Sequence, residues 1–261
     1  MSAMDGMFVS DRRERTLEIL FERGRITTGE LARLFGVSDV TVRADLSRMA
    51  QQGLVVRTHG GAILPNRQRM EVSFSAREGT HVELKRRIGS AAAAMLVGQH
   101  AAMLDASTTA LQIAKAIRHQ QPGELTIITN GVNTALELLG SPGITTILTG
   151  GVVRETAVSL TGPMARELLS KVRAGVGFFG GQGLNVRDGL TDVNIQEAEM
   201  KAAMVAACQT VVAVVDHTKL GEAALASFAS VSEIDLVITD DEAPPESLAE
   251  LRAAGVEIRL V

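Results

Sequence analysis

Along the first sixty residues the apolar positions recur at helical spacing and then switch to strand spacing. In "RRERTLEILFERG", Leu17, Leu20 and Phe21 form one apolar face, which Gly24 ends. "TTGELARLFG" opens with Thr27 and Glu30 at capping-box spacing and turns Leu31, Leu34 and Phe35 inward. A third helix begins at Ser38 as N-cap, with Val37 and Val42 placed for a hydrophobic staple. Val42, Leu46 and Met49 line its inner face, and Gly53 sits where a C-capping glycine belongs. Only Gly36, Val37 and the cap separate the second and third helices, which is a helix-turn-helix connection. "LVVRTHGGAIL" is β-prone on both sides of Gly60-Gly61 and predicts a small hairpin, a wing.

Beyond it, "PNRQRMEVSFSAREGTH" mixes proline, charge and turn residues and reads as a linker over 65–81. "VELKRRIGSAAAAML" predicts a helix, and from Ala101 apolar runs alternate with helical stretches. The runs "AAML", "LTIIT", "ITTILTG", "VGFFGG", "TVVAVV", "DLVIT" and "VEIRLV" are the expected strands. Strands separated by helices imply a mainly parallel sheet covered on both faces. The fold class is therefore α/β: a winged helix-turn-helix domain over 9–64, the linker, and a mainly parallel-sheet α/β domain over 82–261.

Charge divides the chain at the same place. Residues 11–69 hold eleven Arg, no Lys and seven acids, a local charge of +4, on a chain of net charge −4. A small basic module on an acidic body points to a polyanion met by the front end alone. Seven Phe with no Trp or Tyr argue against a single-strand stacking platform. The single cysteine, Cys208, excludes an internal disulfide and a multi-cysteine metal site, and its apolar run makes it a buried structural thiol. No signal pattern precedes the first helix, and no apolar run reaches the roughly 18–20 residues that span a bilayer. A cytoplasmic protein with no membrane partner is expected.

The second helix of a helix-turn-helix pair can enter the major groove with its first turns against base edges. That edge here carries Ser38, Asp39, Thr41, Arg43, Ala44 and Ser47. Arg43 has the fork geometry for guanine, and Ser38 and Thr41 suit phosphates or bases. Arg57, His59 and Gly60 would bring the wing to the DNA backbone. Asp45, in the same helix, is expected to pair with a neighbouring arginine instead of touching DNA.

In open parallel sheets ligands bind beyond the carboxyl ends of the strands. Those ends are followed here by Asp105 to Thr109, by Asn130-Gly131, by Gly150-Gly151, by "GGQG" at 180–183, and by Asp216 to Lys219. Ser107, Thr108 and Thr109 open a helix and could hold a phosphate on its free N–H groups, or could only cap it. Lys219 could supply the countercharge, while Asp105 would meet sugar hydroxyls or hold the loop. "GGQG", with Gly181, is no dinucleotide fingerprint, and close backbone packing explains it equally well. Glu197 and Lys201 stand at i, i+4, where a surface ion pair is the plain reading and reach to sugar hydroxyls the alternative. Neither a cofactor nor a metal is expected.

The run from Arg12 to Ile63, with Ser38, Thr41, Val42, Arg43, Asp45 and Leu46 and an intact "RTHGGA" at 57–62, resembles the winged helix-turn-helix of the DeoR family of bacterial sugar-metabolism regulators. The family's second arginine is Ala44 here. The body is similar to the family's sensor domain in its "DASTT", its "TNG", its "GG", its Glu/Lys helix and the "DHTK" ending at Lys219. Ser107 replaces a glycine of the family's usual "DSGTT". The resemblance implies a fold related to sugar-phosphate isomerases and a ligand site drawn from Asp105, Ser107, Thr108, Thr109, Asn130, Gly131, Gly150, Gly151, Gly181, Glu197, Lys201 and Lys219. It implies a repressor of a carbohydrate operon, partnered by double-stranded operator DNA and a phosphorylated sugar, and acting as a homo-oligomer, dimer or tetramer. The alternative is a sugar-phosphate isomerase with an appended DNA-binding module. Isomerisation needs a positioned base, and the loop in "VGFFGGQGLN" holds no acid, although Asp192 and Glu197 remain available. No catalytic residue is assigned.

Overall fold

The computed structural model describes residues 9–51, 54–63 and 71–261. Gly53, Leu64 and the first linker positions, 65–70, lie outside the described residues, as does the side chain of Phe21. The chain divides into two units, 1–70 with 75–80 and 71–74 with 81–261.

In the first unit α1 (Val9–Arg23) ends at Gly24, whose left-handed backbone lets its N–H reach Leu20 O at 2.8 Å. β1 (Arg25–Thr27) leads into α2 (Thr28–Phe35), and the capping box is present: Glu30 N donates to Thr27 Oγ1 at 3.2 Å and Thr27 N to Glu30 Oε2 at 2.8 Å. After the turn at Gly36 comes α3 (Asp39–Gln51), then β2 (Val56–Thr58) and β3 (Gly61–Ile63). Leu20, Leu31, Phe35, Val42, Leu46, Met49, Val55 and Ala62 form its core. Leu34 is not part of it; α2 buries only Thr28, Leu31 and Phe35, and Leu34 falls on the outer side.

The wing differs from expectation by one residue. Thr58 pairs with Gly61, so His59-Gly60 make the turn and Gly61 lies within β3. β1, which the helical periodicity concealed, pairs with the other edge of β3, with Thr27 opposite Gly61. A Cβ at Gly61 would stand 1.9 Å from Ile26 O, so only glycine lets the two strands approach. Within the expected linker, α4 (Phe74–Gly79) is helical.

The second unit runs α5 (Val82–Ala94), β4 (Ala101–Leu104), α6 (Thr108–Gln120), β5 (Leu125–Thr129), α7 (Val132–Leu138) and β6 (Ile144–Leu148). A ribbon follows, β7 (Val152–Arg154) and β8 (Ser159–Thr161), then α8 (Pro163–Lys171), β9 (Ala174–Phe179), β10 (Gly183–Asn185) and β11 (Gly189–Asp192). α9 (Ile195–Val205), β12 (Cys208–Val214), β13 (Ala226–Ala229), β14 (Leu236–Thr239), α10 (Pro245–Ala253) and β15 (Glu257–Leu260) complete it. The seven strands read from the sequence form one parallel sheet, ordered β15-β14-β12-β9-β4-β5-β6.

Strand side chains alternate between faces, and the core follows. Ala102, Leu104, Val176, Phe178, Val212 and Val214 pack with α5, α6 and α7 on one face. Met103, Phe179, Val211, Ala213 and Val237 pack with α8, α9 and α10 on the other. The chain lays down β4, β5 and β6 in one direction and returns to place β9 against the free side of β4. That reversal opens a crevice between the loops after β4 and β9.

Candidate functional site

Ser38, just before α3, and Asp39, Arg43 and Ser47 on it are exposed, and Thr41 is half-buried. Ser38 Oγ accepts from Thr41 N at 3.2 Å and lies 2.9 Å from Thr41 Oγ1, so its hydroxyl caps the helix. From β2, Arg57 donates to Ser47 Oγ at 2.7 Å and to Arg43 O at 3.1 Å, which fastens the wing to this edge of α3. His59 and Gly60 stand exposed at the wing's turn. Asp45 points the opposite way: it is 8% exposed and accepts from Arg12 Nε at 2.6 Å and Arg13 Nη2 at 3.3 Å, both on α1. The acid is thereby withdrawn from the outer edge. Val40, in the first turn of α3, is an apolar side chain turned outward, 75% exposed, against the rule that apolar residues face the core.

In the body, Asp105 fills the crevice between β4 and β9. It is fully buried, with Oδ1 accepting from Ser107 N at 3.0 Å and Oδ2 from Gly180 N at 2.9 Å. Lys201 Nζ joins it, 3.2 Å from Asp105 Oδ2, 2.8 Å from Asp192 Oδ2 and 2.9 Å from Gly180 O. An ammonium has three N–H donors, and three acceptors surround this one. Burial opposes the charge, but Asp192, Asp105 and Glu197 outweigh it and raise the Lys201 pKa above the ordinary lysine value. In this arrangement both carboxylate oxygens of Asp105 hold loops, and Lys201 fixes the crevice floor.

Glu197 and Lys201 are not a surface pair. Both are buried on α9, at 3% and 5% exposure, and each has other partners. Glu197 accepts from Arg154 Nη1 at 2.7 Å and from the Ser159 hydroxyl, while Arg154 Nη2 reaches Glu71 at 2.5 Å. A charge taken out of water must be matched by charge or hydrogen bonds, and the nearest matches lie on strands distant in sequence. Arg154 and Ser159 carry no sequence signal of this role, because the ribbon strands that hold them are only three residues long.

Ser107 caps α6, accepting from Ala110 N at 3.1 Å, and Thr108 and Thr109 are buried in its first turn. At the neighbouring strand end, Asn130 Nδ2 donates to Leu160 O at 3.3 Å. Asn130 Oδ1 and Thr134 Oγ1 are buried with no hydrogen-bond partner among the described residues. Gly131 lies where a Cβ would stand 3.0 Å from both Ala106 Cα and Thr134 Oγ1, a close approach of two strand-end loops. Gly150 and Gly151 follow β6, and Gly181 is half-buried after β9.

Lys219 sits half-buried in the turn after β12, in a second cluster. Asp216 caps that turn, accepting from Thr218 N at 3.1 Å. Its own burial favours the neutral acid, but Lys219, the Thr218 hydrogen bond, Lys85 and His81 outweigh it and lower its pKa. His217 Nδ1 lies 2.8 Å from Asp240 Oδ1, and its ring meets that of His81 edge-on at 5.8 Å. His81 and Lys85, at the start of α5, and Asp240, just after β14, lie outside the Asp216–Lys219 turn in sequence, so no local motif announces them. Cys208 donates to Met204 O at 3.2 Å, and burial pushes its thiol up to about 12. No described helix is long and apolar enough to cross a membrane.

Residues 12–68 match the family described as the DeoR-like helix-turn-helix domain, and residues 80–241 match the DeoR C terminal sensor domain. Among similar proteins is the HTH-type transcriptional regulator GolR of Listeria innocua, 34% identical across 97% of this chain and 99% of its own. The glycerol-3-phosphate regulon repressor of Escherichia coli K12 is 30% identical across 96% and 98%. A ribose 5-phosphate isomerase of Methanocaldococcus jannaschii overlays with a TM-score of 0.39 at 13% identity, covering 54% of this chain and 55% of that one.

Proposed function

The chain belongs to the DeoR family of helix-turn-helix transcriptional regulators with a C-terminal sensor domain, and from that premise we propose that it represses a carbohydrate-utilisation operon in the cytoplasm under control of a phosphorylated sugar. The observation that carries this reading is the outward edge of α3, where Arg43 is exposed while the helix's inner acid, Asp45, is held by α1. Such an edge offers a cation and small polar groups to a groove, keeps Asp39 as its one acid in the first turn, and turns Asp45 away from the phosphates.

The DNA-binding domain is placed at 9–64, the linker at 65–81 and the effector domain at 82–261. Arg43 forks onto a guanine, Val40 packs on a thymine methyl, and Ser38, Asp39, Thr41 and Ser47 complete the contact edge. Arg57, His59 and Gly60 follow the DNA backbone. In the effector domain the phosphate rests on the Thr108 and Thr109 N–H groups and hydroxyls at the start of α6, with Lys219 as countercharge. Asn130, through its unmatched Oδ1, meets a sugar hydroxyl beside Gly131, Gly150, Gly151 and Gly181. Ser107, Asp105, Glu197 and Lys201 fix the loops that shape the crevice. One module offers one recognition helix, too small a contact to single out a site in a genome, so the working form is a homo-oligomer.

The test is selection of genomic fragments by the full chain, then gel-shift titration of the retained fragments with triose, pentose and hexose phosphates. A few fragments should be enriched, and one sugar phosphate should change their affinity without being converted. Failure to enrich any fragment, or turnover of a sugar phosphate, would overturn the reading in favour of an enzyme.

A further inference from the structure

We propose that the outer edge of the β7–β8 ribbon is where two copies of this chain join, β7 against β7 across a two-fold axis. Of the two ribbon strands, β8 is the one whose backbone is bonded to the body among the described residues: Leu160 N donates to Asn130 O at 2.8 Å, Val132 N donates to Val158 O at 3.0 Å, and Leu160 O accepts from Asn130 Nδ2. In an antiparallel ladder successive residues direct their N–H and C=O to alternate sides. Leu160 spends both groups on the Asn130 side, so Val153, its partner in the register, turns its own N–H and C=O to the outer edge. No strand pairs with that edge among the described residues.

The edge is also apolar and unguarded. Val152 and Val153 follow one another, so their side chains point to opposite faces of the ribbon, and both are exposed, at 67% and 61%. Met164, just beyond β8 on α8, is 71% exposed. Edge strands normally carry charges or proline against chance pairing, as β15 carries Glu257 and Arg259 at one margin of the large sheet. The one charge on β7 gives no such protection, because Arg154 is drawn inward by Glu71 and Glu197 and its side chain is 12% exposed.

The occupant follows from symmetry. An antiparallel pairing centred on Val153 lets its N–H and C=O exchange bonds with the same groups of the second copy, and each apolar face continues into its equivalent. That is a closed, isologous contact. The choice of a second copy rests on the regulator reading, which requires two recognition helices, and this edge supplies the pairing.

Sedimentation velocity of the full chain at micromolar concentration tests it without DNA. Wild type should sediment as a dimer or larger, and the double variant V152K/V153K should fall to monomer mass with its circular dichroism unchanged. V153P removes only the outward N–H, leaves the bonds between β7 and β8, and should also shift towards monomer; it decides the matter if the lysine pair does not fold. Val97→Lys, in the loop leading into β4, should leave the mass unchanged. A monomeric wild type, or edge variants of wild-type mass, would overturn the proposal. Absent DNA binding with an edge-dependent dimer would count against the regulator reading alone.

Discussion

Replacing Asp45 with Ala separates two readings of one acid on a DNA-facing helix. If Asp45 acted as a surface charge near phosphates, its removal would tighten DNA binding. The structure gives the opposite expectation, because the Arg12–Asp45 pair lies at 2.6 Å with side-chain exposures of 9% and 11%. Removing one partner of a buried pair costs about 3–5 kcal/mol, since the other charge is left without compensation. The Arg13 contact, at 3.3 Å and 21% exposed, adds less. A core of this size rarely supplies more than about 3–5 kcal/mol in net stability, so the loss is comparable with the whole. At about 4–8 °C per kcal/mol for a small domain, the unit's melting transition should fall by more than about 10 °C. Circular dichroism is the readout, because the chain has no Trp or Tyr for fluorescence. The larger unit, which holds no part of the pair, should keep its own transition. Binding to non-specific duplex DNA at low salt should weaken. The double variant Arg12→Met/Asp45→Leu should recover much of the stability, since apolar groups can replace a buried pair. Unchanged melting with tighter DNA binding in Asp45→Ala would refute the argument.

Four further outcomes are expected. Arg43→Ala should cost roughly 1–3 kcal/mol per half-site and relax sequence preference, whereas Arg57→Ala should weaken all sequences alike and flatten the salt dependence; competition gel shifts at several salt concentrations distinguish them. Lys219→Ala and Thr109→Val should bind selected fragments normally yet lose the response to the sugar phosphate, and a response at wild-type concentrations would move the phosphate elsewhere. Asp216 has a lowered folded pKa, so its stabilisation is present above the ordinary aspartate value of 3.8 and is lost as pH falls below it; Asp216→Asn should melt lower at neutral pH and show a shallower acid decline. Cys208, its thiol held at about 12, should resist iodoacetamide at pH ~8 in the native chain and react once denatured, since only the thiolate is nucleophilic.

What the sequence determined by itself is whatever short-range chemistry encodes. The Thr27–Glu30 box, the Ser38 cap and the Val42, Leu46 and Met49 spacing are fixed within one or two helical turns, and all stand as read. The seven sheet strands were equally legible: the central β4, β9 and β14, buried on both faces, must be apolar runs, and the marginal β6 and β15 still carry enough apolar residues to stand out. Short strands left no such trace: β1, β7 and β8 span three residues each, and their stability comes from partners instead of pattern. Only the tertiary structure decided where the charges go. Glu197 and Lys201 look like an i, i+4 surface pair, yet the fold buries them and matches one with Arg154 and the other with Asp105 and Asp192. It likewise drew Arg57 onto Ser47, set Gly61 inside a strand, and gathered His81, Lys85 and Lys219 around Asp216. Periodicity records which side of an element faces the core, because burial acts on each residue separately. It cannot record which buried charge meets which, because that depends on strand order and crossover, and those place residues side by side from opposite ends of the chain.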